Sequence, residues 1–373
     1  MAQAAPSPSP APAREVRTLP VFLEPSSPEL STLLSTLNSK VLLPHHLTPA
    51  QQKLVYKAEN RAKLDAEPVE ISLGDVTLPL EHLDRNHLPN RWKHLREIVR
   101  QSSTREDWEN VIRVLEGFEN AGVKVKSEWR ELVVRNLNAS GNQHLVLKAL
   151  QRAKATGLRL NEYGVLVQVC KGVHDRASLA GWEVEETAKA LRFAKQIVEL
   201  MDEEEHCGGQ ARGEMVSERD WRSRPFVIAL PTELAARLAL SENGGGNVEE
   251  VAKLAKRLVV ALQQSQFTTD LETTAHLTSN PPPFPNGTSQ IQFITTHCYS
   301  LLELVIVWNA LKTSRKVLGA NMPMKDEAAE IESRVQKVLE EGVEKVDKLR
   351  VRDGKEMRNA YVGYVRDAVE RCR

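Results

Sequence analysis

Arginine and lysine residues provide the most suggestive chemistry in this sequence. Between Gly122 and Leu160 there are eight basic residues against two acidic ones, and another basic group precedes this stretch. Guanidinium and ammonium groups contact phosphate oxygens through charge and hydrogen bonds, whatever the base. An ordinary charged solvent face has the same composition, so both interpretations stay open. The candidate phosphate-binding residues are Arg91, Lys93, Arg96, Arg100, Lys124, Lys126, Arg130, Arg135, Lys148 and Arg152.

Cysteine and histidine pairs are the next candidates, because they could form a metal site or a nucleophile with its base. Cys170 and His174 have a spacing that puts both on one face of a helix. No further ligands occur at metal-binding spacing, so the pattern indicates a core thiol and a turn histidine. The glycines at 244–246 lack the Lys-Ser/Thr of a phosphate-binding loop. The sequence therefore predicts a non-enzymatic protein with no cofactor, metal or small-molecule substrate.

The charge of the whole chain gives no support to nucleic-acid binding, because 50 acidic and 50 basic residues cancel. Locally the charges separate: residues 183–205 contain eight acidic and three basic side chains. We therefore expect the molecule to be electrically polarised along its axis. The acidic run Asp202–Glu205 could attract a basic partner, or it could form a solvated helix end.

The cysteines and the apolar segments indicate the kind of cellular compartment in which the protein works. The four cysteines lie far apart without a C-x-x-C pair, which favours a reducing compartment. The most apolar stretch, Ile291–Leu311, contains His297 and Glu303, so we expect a buried helix and no membrane insertion. Residues 1–28 are rich in Ala, Ser and Pro, which predicts a disordered tail or a weak targeting segment.

Paired amphipathic helices are the elements that must position the basic residues. An Ala/Thr-Gly-apolar-basic-apolar phrase at Gly122 recurs at Gly157, 35 residues later. Each phrase precedes an aromatic residue, Trp129 or Tyr163, that opens the next helix. A fixed period of this length is typical of a solenoid built from stacked helix–turn–helix units. Gly157 also stands where a helix ends in a left-handed residue, the conformation that glycine adopts most easily.

The predicted fold is all-α, an α-solenoid with a small N-terminal β-hairpin. Alternating apolar residues on both sides of Gly74-Asp75 predict the hairpin, and Thr104 with Asp107 predicts a capping box. The predicted segments are the tail at 1–28, N-terminal helices with the hairpin (68–80) at 29–90, helical repeats at 91–265, a flexible linker at 266–289 and capping helices at 290–373.

The segment "GVKVKSEWRELVVRNLNASGNQHLVLKALQRAKATGLRLNEYGVLV" resembles a pentatricopeptide repeat. The resemblance covers about two clear units and implies a helical scaffold. The Pro-Asp that follows the glycine in that family is replaced by Lys124-Val125 and Arg159-Leu160. The position just after the aromatic, which reads bases in the family, holds Arg130 or Gly164. The resemblance therefore implies the scaffold without the base-reading code.

Two functional hypotheses follow. In the first, the basic central repeats bind RNA or a ribonucleoprotein, and the resemblance implies a mitochondrial ribosome or transcript in the mitochondrial matrix. In the second, a tetratricopeptide-like scaffold or assembly factor holds protein partner helices without touching RNA, and the location could be cytoplasmic. The aromatic residues Trp92, Trp108, Trp129 and Tyr163 could stack on bases, but their place on the apolar stripes favours core packing.

Overall fold

The computed structural model describes residues 18–207, 220–241, 245–352, 355–356 and 359–373. The described part is mostly helical, and it divides into two compact units. Unit 1 comprises the residues up to Trp129 together with Lys154–Gly157. Unit 2 comprises Arg130–Ala153 and Leu158–Arg373. This division does not follow the segment boundaries that the sequence predicted.

Unit 1 contains short N-terminal helices, a β-hairpin and a longer helical pair. Its elements are α1 (Pro28–Thr36), a π-helical segment (Leu37–Leu42), α2 (Leu43–His46), α3 (Pro49–Tyr56), α4 (Arg61–Ala66), β1 (Glu70–Leu73), β2 (Val76–Pro79), α5 (Arg91–Gln101) and α6 (Arg105–Asn120). The hairpin is antiparallel, with Leu73 opposite Val76 across the Gly74-Asp75 turn, as predicted. Thr104 and Asp107 form the predicted capping box of α6.

Residues 18–26 form an extended segment that is bound along α6. Asn110 accepts a hydrogen bond from the Leu23 amide at 2.7 Å and donates one to the Leu23 carbonyl at 3.0 Å. Asp107 accepts hydrogen bonds from the amide and the hydroxyl of Ser26, at 2.9 and 2.6 Å. The predicted disordered tail is therefore wrong for residues 18–28, because polar side chains of α6 supply the partners that an extended backbone needs. Residues 1–17 lie outside the described part.

Helix α7 (Ser127–Ala139) begins in unit 1 and continues in unit 2. The other elements from here to the C-terminus are α8 (Gln143–Leu150), α9 (Ala153–Thr156), α10 (Tyr163–Leu179), α11 (Val184–Leu200), α12 (Pro225–Leu240), α13 (Val248–Leu262), α14 (Ser265–Ser279), α15 (Gly287–Leu318), α16 (Lys325–Lys348), β3 (Val351–Arg352), β4 (Lys355–Glu356) and α17 (Ala360–Cys372). Among them, α9 belongs largely to unit 1.

Helices α12 and α15 form the centre of unit 2. They pack on each other, and α11 and α13 contact α12 while α13, α16 and α17 contact α15. Most of α15 is apolar and buried, including Leu301, Val305 and Leu311. Its length and composition would also suit a membrane span, although the core helix of a soluble protein can have both properties. Burial of α15 on several sides explains its nearly continuous apolar sequence.

Three turns between helices have the backbone conformation that their glycines permit. Gly122, Gly141 and Gly157 have φ values of 66°, 76° and 69°. A residue with a side chain is strained in this left-handed region, so glycine ends these helices at low cost. Helices therefore begin and end near the turns that the sequence predicts. Helix α10 is longer than its sequence suggests, because it continues as far as Leu179 through polar residues whose pattern favours a turn.

The predicted flexible linker at 266–289 is wrong for its first half, which forms α14. Its threonines favour other conformations in isolation, but Phe267, Leu271, Thr274 and Thr278 recur on one buried stripe. The Thr274 hydroxyl donates to the carbonyl of Asp270 at 2.8 Å, and Thr278 does the same to Thr274. Tertiary burial thus outweighs the low helix propensity of this segment.

A buried polar network joins four helices of unit 2. His174 on α10 hydrogen-bonds Glu233 on α12 through Nδ1 at 2.8 Å, and Asn309 on α15 donates to the same carboxylate at 2.9 Å. Arg237 connects Asn309 with the carbonyl of Cys372 on α17. Burial lowers the pKa of His174, but Glu233 outweighs it, so the pKa lies well above its usual value.

We expect Asp107→Asn to lower the free energy of unfolding by about 3 kcal/mol, because several hydrogen bonds to a charged acceptor are lost. Burial raises the pKa of Asp107, but the hydrogen bonds outweigh it and hold the pKa at about 2. The stabilisation is therefore complete above about pH 4 and disappears as the pH falls through about 2. Urea unfolding between about pH 2 and 7 measures this, with the exposed neighbour change Glu106→Gln as the control. Equal losses in the two variants would contradict the interpretation.

We expect Glu233→Gln to destabilise the protein by about 3 kcal/mol, because a buried charged partner of His174 is removed. The wild-type contribution of His174 is present below its unfolded pKa near 6.5 and is lost as the pH rises through its higher folded pKa. Urea unfolding from about pH 5.5 to 9 should therefore show a decline with pH that the variant lacks. The exposed change Glu249→Gln on α13 should keep the wild-type profile.

Candidate nucleic-acid interface

Helix α5 positions the first group of predicted basic residues. Asn90 caps the helix by accepting hydrogen bonds from the amides of Trp92 and Lys93, at 3.0 and 3.1 Å. Leu95, Ile98 and Val99 are buried and pack against α1 and the π-helical segment. Burial of this stripe fixes the rotation of α5 about its axis, and the rotation determines which side chains face solvent.

The solvent face of α5 is basic. Lys93, Arg96 and Arg100 are exposed, and at 3.6 residues per turn they fall within about 60° of arc, opposite the buried stripe. Arg100 forms an ion pair with Glu97 on the same helix, which offsets part of its charge. The remaining cations, Lys93 and Arg96, share one exposed face of the helix.

Two tryptophans stack beside this face. The rings of Trp92 and Trp129 are 5.6 Å apart and nearly parallel, with an interplanar angle of 9°. The guanidinium of Arg96 lies 5.3 Å from the Trp129 ring, and that of Arg91 lies 5.1 Å from the Trp92 ring. Each arginine is thus held against an aromatic face, which reduces its freedom without using its hydrogen-bond donors. Trp92 and Trp129 are half-buried, so they are not pure core residues.

A recess of about 360 Å³ lies at the start of α5. Its lining includes Lys40, His45, Tyr56, Arg91 and Trp92, a mixture of cationic and aromatic side chains. Burial and the charge of Arg91 lower the pKa of His45, so its imidazole is neutral at physiological pH. Cations contact phosphates and aromatic rings stack on bases, so this recess offers the same two types of contact to RNA as the solvent face of α5 and the adjacent tryptophan stack.

Lys124 and Lys126 lie in the segment between α6 and α7. Val123 and Val125 are buried at 5% and 3% exposure, and this alternation turns the two lysines toward solvent. The six predicted residues of unit 1 are therefore all exposed. We call the set Arg91, Lys93, Arg96, Arg100, Lys124 and Lys126, with the Trp92–Trp129 stack, the basic face of unit 1.

The four predicted residues of unit 2 have different environments. Arg130 is buried at 8% exposure and forms an ion pair with Glu162, so the prediction that it contacts phosphate is wrong. Arg135 is half-buried and donates to the Tyr361 hydroxyl at 3.1 Å. Lys148 and Arg152 are exposed on and just after α8. Arg130 and Arg135 are thus structural cations, which residue spacing alone does not distinguish from solvent-facing ones.

A groove of about 1190 Å³ in unit 2 contains basic residues that the sequence analysis missed. Helices α7, α10, α15 and α17 line it, and its cations include Lys171, Arg176 and Arg371. Asp175 accepts from Lys171 at 2.6 Å and from the Tyr364 hydroxyl at 2.7 Å, and Arg176 pairs with Glu186 at 2.9 Å. The lining has four basic residues (Arg135, Lys171, Arg176 and Arg371) against three acidic ones (Asp175, Glu186 and Asp367), so the groove has only a small excess of positive charge.

The arrangement of Cys372, His174 and Glu233 has the order of a nucleophile, a base and an orienting carboxylate. The Cys372 sulfur lies 4.0 Å from His174 Nε2. All three side chains are completely buried, so no substrate reaches them. Cys170, the partner that spacing suggests for His174, is buried and its thiol pKa is raised by burial. No cluster suited to a metal ion occurs among the described residues.

Comparison with known proteins identifies the family. Residues 7–364 match the family described as mitochondrial ribosomal protein mS27. The chain is also similar to the small ribosomal subunit protein mS27 of Neurospora crassa, with 26% identity over 258 residues. That alignment covers 65% of this chain and 65% of the Neurospora protein. Since the family match extends over nearly the whole sequence, the chain belongs to the mitochondrial ribosomal protein mS27 family.

Proposed function

We propose that the protein is a non-enzymatic component of the mitochondrial small ribosomal subunit that binds ribosomal RNA through the basic face of unit 1. The family is one of mitochondrial ribosomal proteins, and its relative in Neurospora crassa is named as a small-subunit protein.

The observation that carries this proposal is the arginine-flanked stack of Trp92 on α5 and Trp129 at the start of α7. Arg91 and Arg96 are fixed over Trp92 and Trp129, so they are pre-ordered for contact with a phosphate backbone. The contacts are independent of base identity, because the backbone is the same at every nucleotide. Binding without base recognition agrees with the environment of Arg130. This residue stands at a base-reading position of the pentatricopeptide pattern, but it is buried in an ion pair with Glu162.

We further propose that the helical pairs form degenerate pentatricopeptide-like repeats. Two observations support this: α10 packs on α11, which follows it directly, and left-handed glycines at 122 and 157 precede α7 and α10. In this interpretation the repeats supply a scaffold, and the cations on their surfaces supply the RNA affinity.

The groove of unit 2 favours a second candidate function, the binding of a protein partner. Its ion pairs leave little net charge, and Leu179 at its edge is 68% exposed while Ile291 is 38% exposed. Exposed apolar side chains beside balanced charges are typical of protein–protein contacts. The two functions are compatible, because they use different units of the chain.

The RNA proposal predicts that Lys93→Gln, Arg96→Gln and Arg100→Gln together weaken binding of single-stranded RNA by roughly tenfold or more at low salt. Each lost phosphate contact also reduces the slope of log affinity against log salt by about 0.7, so the slope should fall by about 2. A filter-binding titration of a mixed RNA pool at several salt concentrations measures both quantities.

The matched control removes three exposed cations from α13 by Lys253→Gln, Lys256→Gln and Arg257→Gln. It makes the same change in net charge, and it should leave the affinity and the salt slope unchanged. A further variant, Arg130→Gln, should lower the melting temperature without changing the slope, because Arg130 holds Glu162. Equal weakening by the α5 and α13 variants would show that binding follows total charge, and the basic face would have no special role.

A further inference from the structure

A second recess, of about 310 Å³, lies within unit 2 and is used by neither proposed function. It is enclosed by α10, the turn Trp221–Ser223, α12, α14 and α15. Thr273 and Thr296 are exposed at its mouth, whereas Phe267 and His297 are buried in its wall. Its volume is at the lower end for sites that bind small ligands or single side chains.

Glu303 of α15 lines this recess with an unsatisfied oxygen. Its Oε1 atom is enclosed and has no hydrogen-bond partner, although the Tyr163 hydroxyl is a partner of the carboxyl group. A buried polar atom without a hydrogen-bond partner is unfavourable, and a ligand group that supplies the missing hydrogen bond removes this cost. Burial raises the pKa of Glu303 to about 7, even though Tyr163 and Arg224 act in the opposite direction.

The walls of the recess are aromatic. The rings of Tyr163 and Trp221 stack at 5.2 Å, and Phe293 lines another side. The Trp221 indole donates to the carbonyl of Asn161 at 3.1 Å, which fixes its ring. Aromatic faces around a carboxylate form a favourable environment for an organic cation, which gains both cation–π contact and an ion pair.

The other charged groups around Glu303 offset one another, so they do not balance the charge of its carboxylate. Arg224 forms an ion pair with Asp270, so these two groups offset each other. His297 is neutral, because burial lowers its pKa to about 4. When Glu303 is ionised, the recess therefore has one uncompensated negative charge. The titratable and charged groups that face Glu303 are Tyr163 and Cys170 on α10, Arg224 at the start of α12, Asp270 on α14 and His297 on α15.

We propose that this recess receives one lysine or arginine side chain from an extended segment of a protein partner, and that Glu303 is its counter-ion. A cation completes the charge balance and supplies the missing hydrogen bond to Oε1. An RNA strand is excluded by charge, since its phosphates would approach a carboxylate. The inference concerns unit 2 and does not depend on RNA binding by unit 1.

The test uses the full-length protein labelled with 5-fluorotryptophan, with the Trp221 signal assigned through Trp221→Phe. The probes are the blocked amino acids Nα-acetyl-lysine methylamide and Nα-acetyl-arginine methylamide. We expect a saturable shift of the Trp221 ¹⁹F signal at about pH 8 with at least one of them. The norleucine analogue and uridine 5′-monophosphate should cause none, because the first lacks the charge and the second is an anion.

Glu303→Gln keeps the shape of the side chain but removes its charge, and it should weaken binding of the cationic probe about tenfold. Glu303→Asp should retain measurable binding, since it keeps the carboxylate. In the wild type, lowering the pH from about 8 to about 6 should weaken binding about tenfold, because only about a tenth of the carboxyl groups remain ionised. This pH dependence should be absent from Glu303→Gln.

The exposed change Glu330→Gln on α16 is the charge-matched control and should bind the probes like the wild type. The dispersion of the six tryptophan signals verifies folding of every variant. Binding that is equal in Glu303→Gln and wild type, or a tighter response to uridine 5′-monophosphate than to the cationic probes, would overturn the proposal. Neither result bears on the salt-dependent RNA binding of unit 1, so the two proposals can fail separately.

Discussion

Burial of the apolar stripe of α5 is the constraint on which the proposed interface depends. Leu95, Ile98 and Val99 can be removed from water in only one rotation of the helix. In that rotation Lys93 and Arg96 point into solvent. The positions of the cations are therefore a consequence of the hydrophobic effect, which is not directional itself but selects the orientation of an amphipathic helix.

Whether a basic side chain is free to contact a partner depends on the residues around it in the folded protein. The sequence alone does not show which distant residues these are. Arg96 and Arg130 have similar neighbours in sequence, and each lies in an amphipathic helix. Glu162, which is 32 positions further along, neutralises Arg130, whereas Arg96 rests on the Trp129 ring. A pairing across that distance depends on tertiary packing, so residue spacing within one helix could not predict it.

The features that the sequence did predict are those determined by local physics. The Thr104–Asp107 capping box, the hairpin about Gly74 and the left-handed Gly157 each depend on a few neighbouring residues. The features that it missed depend on distant partners. Helix α14 forms because its threonine-rich stripe is buried, and residues 18–26 are ordered because Asp107 and Asn110 bind them. A polar residue on an otherwise apolar stripe, as at Asn110, is the signal that could have revealed this contact.

The distribution of compensated and uncompensated charge differs between the two units. In the large groove of unit 2, acidic residues that include Asp175 and Glu186 offset most of the charge of the neighbouring cations, so specific recognition there would depend on shape and hydrogen bonds. In the smaller recess, the nearby Arg224 pairs with Asp270, and the Oε1 atom of Glu303 is left without a hydrogen-bond partner. On the basic face of unit 1 the excess charge is positive and rests on aromatic rings. The zero net charge of the chain is therefore compatible with both proposed binding functions, because local balance, not the total, determines what each surface attracts.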